Sequence, residues 1–333
     1  MRRRRRPQDD ARERTRRRLR VAALAVALAV SAAALTASLV KVRPARISAL
    51  VRATGVAFRV PRAQVLAVDL AARRVTVSGA SHVLPSVPGW APEHAETANG
   101  LNTSMEADSG DALTLGGIPL PAGSSVRVES TAEARTFRVH VTCAPSCDSV
   151  PGFKVDARGP VAVVSAGFDG TADFGSGRPV WFSYGTKALT VEVELLVVPF
   201  ESAEPLDIDA LRFDRRTVYA DPVAPRERIL SSVRAGTIRL EDVPGKEIQL
   251  PRGEELHLDL RAGSLRQLTL DSAALEVNLL ASADGFATGT THRSRLPSQL
   301  ERLHSHLGLH LVLATVLAVF PILFGLTRWW FEG

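Results

Sequence analysis

The chain carries none of the short motifs that announce a reaction. It has no Gly-x-Ser-x-Gly elbow, no Gly-x4-Gly-Lys-Ser/Thr loop, no Gly-x-Gly-x-x-Gly turn and no His-Glu-x-x-His pair. Nothing therefore points to a strained serine nucleophile, a phosphate cradle, a dinucleotide fold or a zinc protease. Cysteine is nearly absent, with two in 333 residues, Cys143 and Cys147. A zinc pair would need partner ligands close by in sequence, and a redox Cys-x-x-Cys has two intervening residues where Cys-Ala-Pro-Ser-Cys has three. The pair is read as a structural disulfide stapling a turn, with free thiols as the alternative. Lysine is scarce as well: four of the 41 basic residues are lysine (Lys41, Lys154, Lys187, Lys246), and alanine is abundant. That usage is expected of a GC-rich bacterial genome. A persuasive helical period is missing from residues 41–306; Ala203 to Arg216 is the nearest candidate, and Pro205 interrupts its start.

Two long apolar runs are present. Leu19 to Val40 and Leu307 to Thr327 hold 22 and 21 residues, and a helix of that length reaches about 30 Å, the hydrocarbon thickness of a bilayer. Each is expected to span once. Residues 1–20 carry eleven arginines against Asp9, Asp10 and Glu13, a net of +8. The block formed by Arg2, Arg3, Arg4, Arg5 and Arg6, with Arg16, Arg17 and Arg18, is the topology determinant or anionic-lipid contact, and it holds the N-terminus in the cytoplasm. The second span returns the C-terminus to the same side, where Arg328, Trp329 and Trp330 are placed to anchor it at the interface. A cleaved secretory signal over Val21 to Val30, ending at Ala32-Ala33-Ala34, is the competing reading. In both readings the central domain crosses the membrane.

Between the runs, residues 41–300 hold 28 Lys and Arg against 30 Asp and Glu, a net of −2. The high overall pI belongs to the tail, so the folded part has no basic face for nucleic acid. Period-two alternation recurs from Val56 to Leu280, with Gly, Pro, Asp and Asn every 8–12 residues. This predicts an all-β, antiparallel sandwich or jelly roll outside the cytoplasm. The expected organisation is a tail at 1–18, a helix at 19–40, a β lobe at 41–200, an irregular connection at 201–228, and a second β lobe or continuation at 229–306. A second helix at 307–327 and a tail at 328–333 complete it. Val83 to Pro121, rich in Pro, Gly, Asn and Ser, reads as a long polar loop within the first lobe and as the partner-binding surface.

Weaker signals are read as structural. His304, His306 and His310 form a polar fringe at the second span, Pro321 kinks it, and Asp207, Asp209 and Asp214 lack the glycine and closing glutamate of a calcium loop. Phe168-Asp169-Gly170 reads as a turn. A hydrolase could still gather scattered residues such as Ser81, His82, His140 and Asp148. The preferred expectation is a non-catalytic, two-pass accessory or scaffold subunit of a bacterial inner-membrane complex, needing no cofactor. Its partners are the bilayer and an envelope protein or glycan. The alternatives are a lipid or glycolipid bridge and an envelope-polymer enzyme.

Overall fold

A computed structural model describes residues 39–299 apart from 67–68, 86, 88–89, 91–92, 95–99, 109–110, 145–149, 186, 203, 220–225 and 272. It also describes Val21, Ala25, Ala29, Ser31, Ala32, Thr36, Glu301, Arg302, Ser305 and Gly325. By backbone contacts the chain forms two units: residues 44–241 with 245–295, and residues 1–43 with 242–244 and 296–333.

The larger unit is all β, and every strand pairing in it is antiparallel. Its strands follow from alternation. In Ala45–Ala53 the residues Ala45, Ile47, Ala49, Val51 and Ala53 are buried, which places one face of a pleated strand on the core. That strand lies between Val233–Leu240 and Ala274–Thr288. Glu247–Leu250 adds to the first neighbour, and Leu256–Asp271 to the second. The sequence alternation is expected to begin at Val56, and the structure begins one strand earlier. The reason is composition: Ala-Arg-Ile-Ser-Ala-Leu-Val-Arg-Ala buries three alanines, which carry little strand signal.

After Thr54 the chain continues as Gly55–Arg59 and opens a second neighbourhood. Across it the order is Gly55–Arg59, Ser125–Ser130, Thr136–Thr142, Ala188–Leu195, Leu70–Leu84, Leu101–Ala107, Pro160–Ser165 and Phe168–Asp173. Ala210–Arg212 bonds both Gly55–Arg59 and Leu256–Asp271 and so joins the two neighbourhoods. Residues on either side of the expected 201–228 connection therefore share one hydrogen-bonded sheet.

Leu70–Leu84 is the pivot. Its register shifts between Ser78 and Ala80, where Gly79 has φ +88° and a Cβ would sit 2.7 Å from the carbonyl oxygen of Ala188. Only glycine fits such a bend without strain. Beyond it the strand pairs with Arg178–Tyr184, which pairs with Phe153–Ala157. Phe153–Ala157 meets Leu113–Leu115, which returns to Leu70–Ala72 at the start of the same strand. Phe153 and Phe182 stack there with ring centroids 5.4 Å apart, and Tyr184 meets Phe153 edge-on at 6.5 Å. Packing is tight: the space left among Leu66, Leu115, Phe137, Val193 and Leu268 is about 20 Å³, and its lining is almost wholly apolar.

Three expectations are corrected here. Val83 to Pro121 is not one long loop: it contains Leu101–Ala107, Leu113–Leu115 and Ile118–Leu120. Leu101, Thr103, Met105 and Ala107 point inward, and the polar residues between them disguised the strand. The described part of residues 201–228 is likewise largely strand and contains no helix, with Leu206–Ile208, Ala210–Arg212, Asp214–Tyr219 and Arg226–Ser231 as strands. Phe168-Asp169-Gly170 is the start of an edge strand, and the turn lies just before it.

In the smaller unit Val21, Ala25, Ala29, Ser31, Ala32, Thr36 and Leu39 are helical, and Val40 N–H donates to the Thr36 carbonyl at 2.9 Å. Ser298 caps a short turn: its Oγ accepts from Glu301 N–H at 3.1 Å, and its N–H donates to the Glu301 carboxylate at 2.7 Å, a reciprocal capping box. Among the described residues no helix is long and apolar enough to cross a membrane. Most of the expected spans 19–40 and 307–327 lies outside the described residues, as do Arg2 to Arg6, Arg16 to Arg18, Arg328, Trp329, Trp330, His304, His306, His310 and Pro321.

Candidate functional site

Four adjacent strands share one sequence habit. Thr76-Val77-Ser78, Ser125-Val126-Arg127-Val128-Glu129, Arg138-Val139-His140-Val141-Thr142 and Thr190-Val191-Glu192-Val193-Glu194 each alternate a polar residue with valine. The valines are buried, none more than 8 % exposed, so the polar residues stand together on the opposite face. Register then aligns them into rows that cross the strands. Asn102, Ser78, Thr190, His140 and Arg127 form one row. Ser104, Thr76, Glu192, Arg138 and Glu129 form the next.

The rows hold their side chains in place. Arg138 donates from Nε and Nη2 to Glu192 Oε2 at 3.0 and 2.6 Å. Arg127 Nη1 reaches Glu129 Oε1 at 3.1 Å and Asp214 Oδ1 at 2.8 Å, with side chains only 18 % and 14 % exposed for Arg127 and Asp214. His140 Nδ1 lies 2.8 Å from Thr190 Oγ1, and its Nε2 lies 3.2 Å from Thr142 Oγ1. Thr76 and Ser104 hydroxyls are 3.1 Å apart, and Ser78 donates to Asn102 Oδ1 at 2.9 Å. Charge-assisted bonds of this kind fix long side chains that would otherwise sweep through many rotamers. Over the centre of the face lies an open cleft of about 600 Å³, and all ten side chains lining it are polar.

A second cleft, about 500 Å³, lies between Leu211 to Asp214, Ile229 to Ser231, Glu255 to Asp259 and Gly285 to Ala287. Its floor is mixed. Phe213, Leu256 and Phe286 are buried, while Glu255, His257 and Asp259 add charged and polar side chains to the lining. His257 packs on His292 with ring centroids 3.9 Å apart, and its Nε2 lies 3.5 Å from Glu255 Oε2. A β-carbon on Gly285 would come within 2.9 Å of Asp259 Cβ on the paired strand, so the missing side chain at 285 leaves room for Asp259.

The residues singled out in the sequence scatter. Ser81 Oγ donates to the Tyr184 carbonyl at 2.6 Å, the backbone of His82 is in register with that of His94, His140 belongs to the polar rows, and Asp148 lies outside the described residues. Asp169 sits exposed on an edge strand. Asp207, Asp209 and Asp214 pair with three different arginines, Arg62, Arg59 and Arg127, and do not converge as a calcium loop would require. Asp209 accepts from Arg59 Nε at 2.7 Å, and this bond pushes the guanidinium pKa further up. Among the described residues no group of three or more His, Cys, Asp or Glu side chains is placed to hold a metal ion. Cys143 is buried and disulfide-bonded; Cys147 lies outside the described residues.

The polar rows are not evident from the sequence, although the polar-Val-polar pattern repeats in it. Each strand alone looks like any half-buried strand, and only register shows that the four contribute to one surface. No family model matches the chain, and no curated protein is significantly similar to it.

Proposed function

We propose that the protein is a non-catalytic binding subunit of a bacterial envelope, tethered to the inner membrane by residues 19–40 and 307–327, with its β domain on the outer side. The polar rows carry this reading: an extended face whose side chains are already held by one another is prepared to bind without rearrangement. The domain reads as an antiparallel sandwich whose inner sides form the core and whose outer side serves recognition. Membrane attachment is supported by the +8 tail and by the length of the two apolar runs. It is supported too by the helical residues Val21 and Leu39, 56 % and 70 % exposed with apolar side chains, as lipid contact requires.

The test uses the full chain in its membrane. Thr190→Arg places a bulky charge in the middle of the face and leaves Val191 and Val193 in the core. Purified in mild detergent, the parent chain should bring down a defined partner that the variant loses at equal abundance and equal thermal stability. Retention of the same partner by Thr190→Arg and by Thr76→Arg would remove the face from the account. A reporter fused after Gly333 should be active in the cytoplasm; activity confined to the outer side would remove the two-span tether.

A further inference from the structure

Building on the reading of the polar face as the binding surface, we infer that its occupant is a linear, uncharged glycan lying across the strands, along the two rows. Charge comes first. Among the ten residues lining the cleft two arginines stand against two glutamates, Arg138 paired with Glu192 and Arg127 with Glu129, and Arg127 reaches Asp214 beyond the lining. Arg74 beside them pairs with Glu133 at 2.9 Å and Glu194 at 3.5 Å. A polyanion gains its affinity by exchanging counterions for exposed cationic groups, and a basic peptide would need carboxylates not already engaged. The lining itself, two arginines against two glutamates, carries no net charge with which to select either.

Polarity comes second. A protein partner needs buried aromatic or aliphatic anchors at the centre of its interface, and a lipid needs an apolar groove. The ten residues lining this cleft supply neither: they are Thr76, Ser78, Ser125, Thr142 and Thr190, two arginines, two glutamates and His140. β-augmentation is also closed, because these four strands are bonded on both edges along the cleft. What the face offers is hydroxyls that both donate and accept, set beside fixed guanidinium donors and carboxylate acceptors. That is the complement of a polyol.

Geometry comes third. Strands lie about 4.8 Å apart, so each row presents one polar side chain per strand at that spacing, and residues i and i+2 separate the rows by about 7 Å. An extended chain of pyranose rings advances by about one strand spacing per ring and has hydroxyls on both edges. One row would then serve each edge. Asn102, Ser78, Thr190, His140 and Arg127 would face one side of the chain, and Ser104, Thr76, Glu192, Arg138 and Glu129 the other.

The experiment places the full chain in nanodiscs and measures capture on immobilised neutral oligosaccharides. The probes are linear glucan, mannan, arabinan and chitin hexamers, together with total neutral polysaccharide extracted from the envelope of the producing cell. Hyaluronan and polylysine serve as charged controls. At least one neutral probe should retain the chain, and Arg138→Ala and Thr190→Val should each weaken retention at least tenfold with an unchanged melting profile. Ile229→Ala, in the second cleft, should leave retention as it was. If Arg138→Ala lowers thermal stability, Ser78→Ala gives the same reading through a hydroxyl alone. Retention by hyaluronan or polylysine in preference to every neutral probe overturns the inference, as does retention by none of the neutral probes. The two readings fail differently. A co-purifying partner lost in Thr190→Arg with no neutral glycan bound leaves the face standing and removes the glycan; a partner indifferent to Thr190→Arg, again with no neutral glycan bound, removes both.

Discussion

Thr190 and Val191 are neighbours in the chain and belong to opposite worlds. Val191 is fully buried against the inner side of its sheet, while Thr190 stands on the outer side with His140 Nδ1 2.8 Å from its hydroxyl. The same division runs through the three adjacent strands. On the inner side identity is dictated by volume, because a close-packed core penalises any void or overlap. On the outer side the strand is held whatever the side chain is, so those positions are free to be shaped by what they contact. The difference separates positions fixed by packing from positions that packing leaves open, and it can be tested position by position.

The largest effect is expected inside. Phe182→Ala removes a ring stacked on Phe153 and should destabilise the β domain by about 3–5 kcal/mol, measured by chemical denaturation of the full chain followed through its β signal. A loss below about 1 kcal/mol would mean that this part of the core is loosely packed, and the contrast between the sides would weaken. Next comes the bend: Gly79→Ala forces a β-carbon against the Ala188 carbonyl at positive φ and should cost about 1–3 kcal/mol. The fold should survive, with the loss read in the same denaturation.

Tyr184→Phe probes a polar group on the inner side. The Tyr184 hydroxyl donates to the Pro119 carbonyl, and deleting it should cost about 1–3 kcal/mol at neutral pH, since a buried acceptor is left without its donor. Burial also pushes the Tyr184 phenol well above its ordinary value. In the unfolded chain a tyrosine ionises near pH 10, so the contribution is fully present below that pH and is lost as pH rises above it. The alkaline fall in stability should be shallower in Tyr184→Phe than in the parent chain; identical slopes would count against a buried, protonated Tyr184.

The smallest stability effects belong to the outer side. Thr190→Val and Arg138→Ala should shift thermal stability by no more than about 0.5–1 kcal/mol, the range of exposed substitutions and surface ion pairs. Binding should fall sharply in the same variants. A loss of several kcal/mol at either position would show that the rows are structural, and the separation between the two sides would collapse there.

Parts of this were legible beforehand. Ser125 to Glu129, Thr136 to Thr142 and Ala188 to Val198 read as strands because apolar and polar residues alternate in them, although the last strand ends at Leu195, where Leu195-Leu196-Val197-Val198 breaks the alternation. Others were hidden for identifiable reasons. Ala45–Ala53 buries alanines, and Leu101–Ala107 buries Thr103 and places Asn, Ser and Glu outward amid proline-rich flanks. The short strands from Leu206 to Arg212 are too brief to show a period. In each case the hydrophobic signal was weak although the backbone pairing was complete. His140 is on the polar face, where Thr190 and Thr142 lie within hydrogen-bond distance of its two ring nitrogens, a placement that its sequence neighbours alone do not reveal.

Read alone, the sequence determined that the central region is all β, that its net charge is near zero while the basic residues crowd the tail, and that apolar runs of bilayer length flank it. Those properties follow from composition and from short-range periodicity, which every segment carries in itself. Which strands become neighbours was decided only by the tertiary structure. Residues as distant as Arg127 and Glu192 enter one surface because burial of their intervening valines in a shared core selects one register out of many, and backbone hydrogen bonds would have accepted the others equally well. A polar face assembled across strands is therefore invisible until the strands have paired.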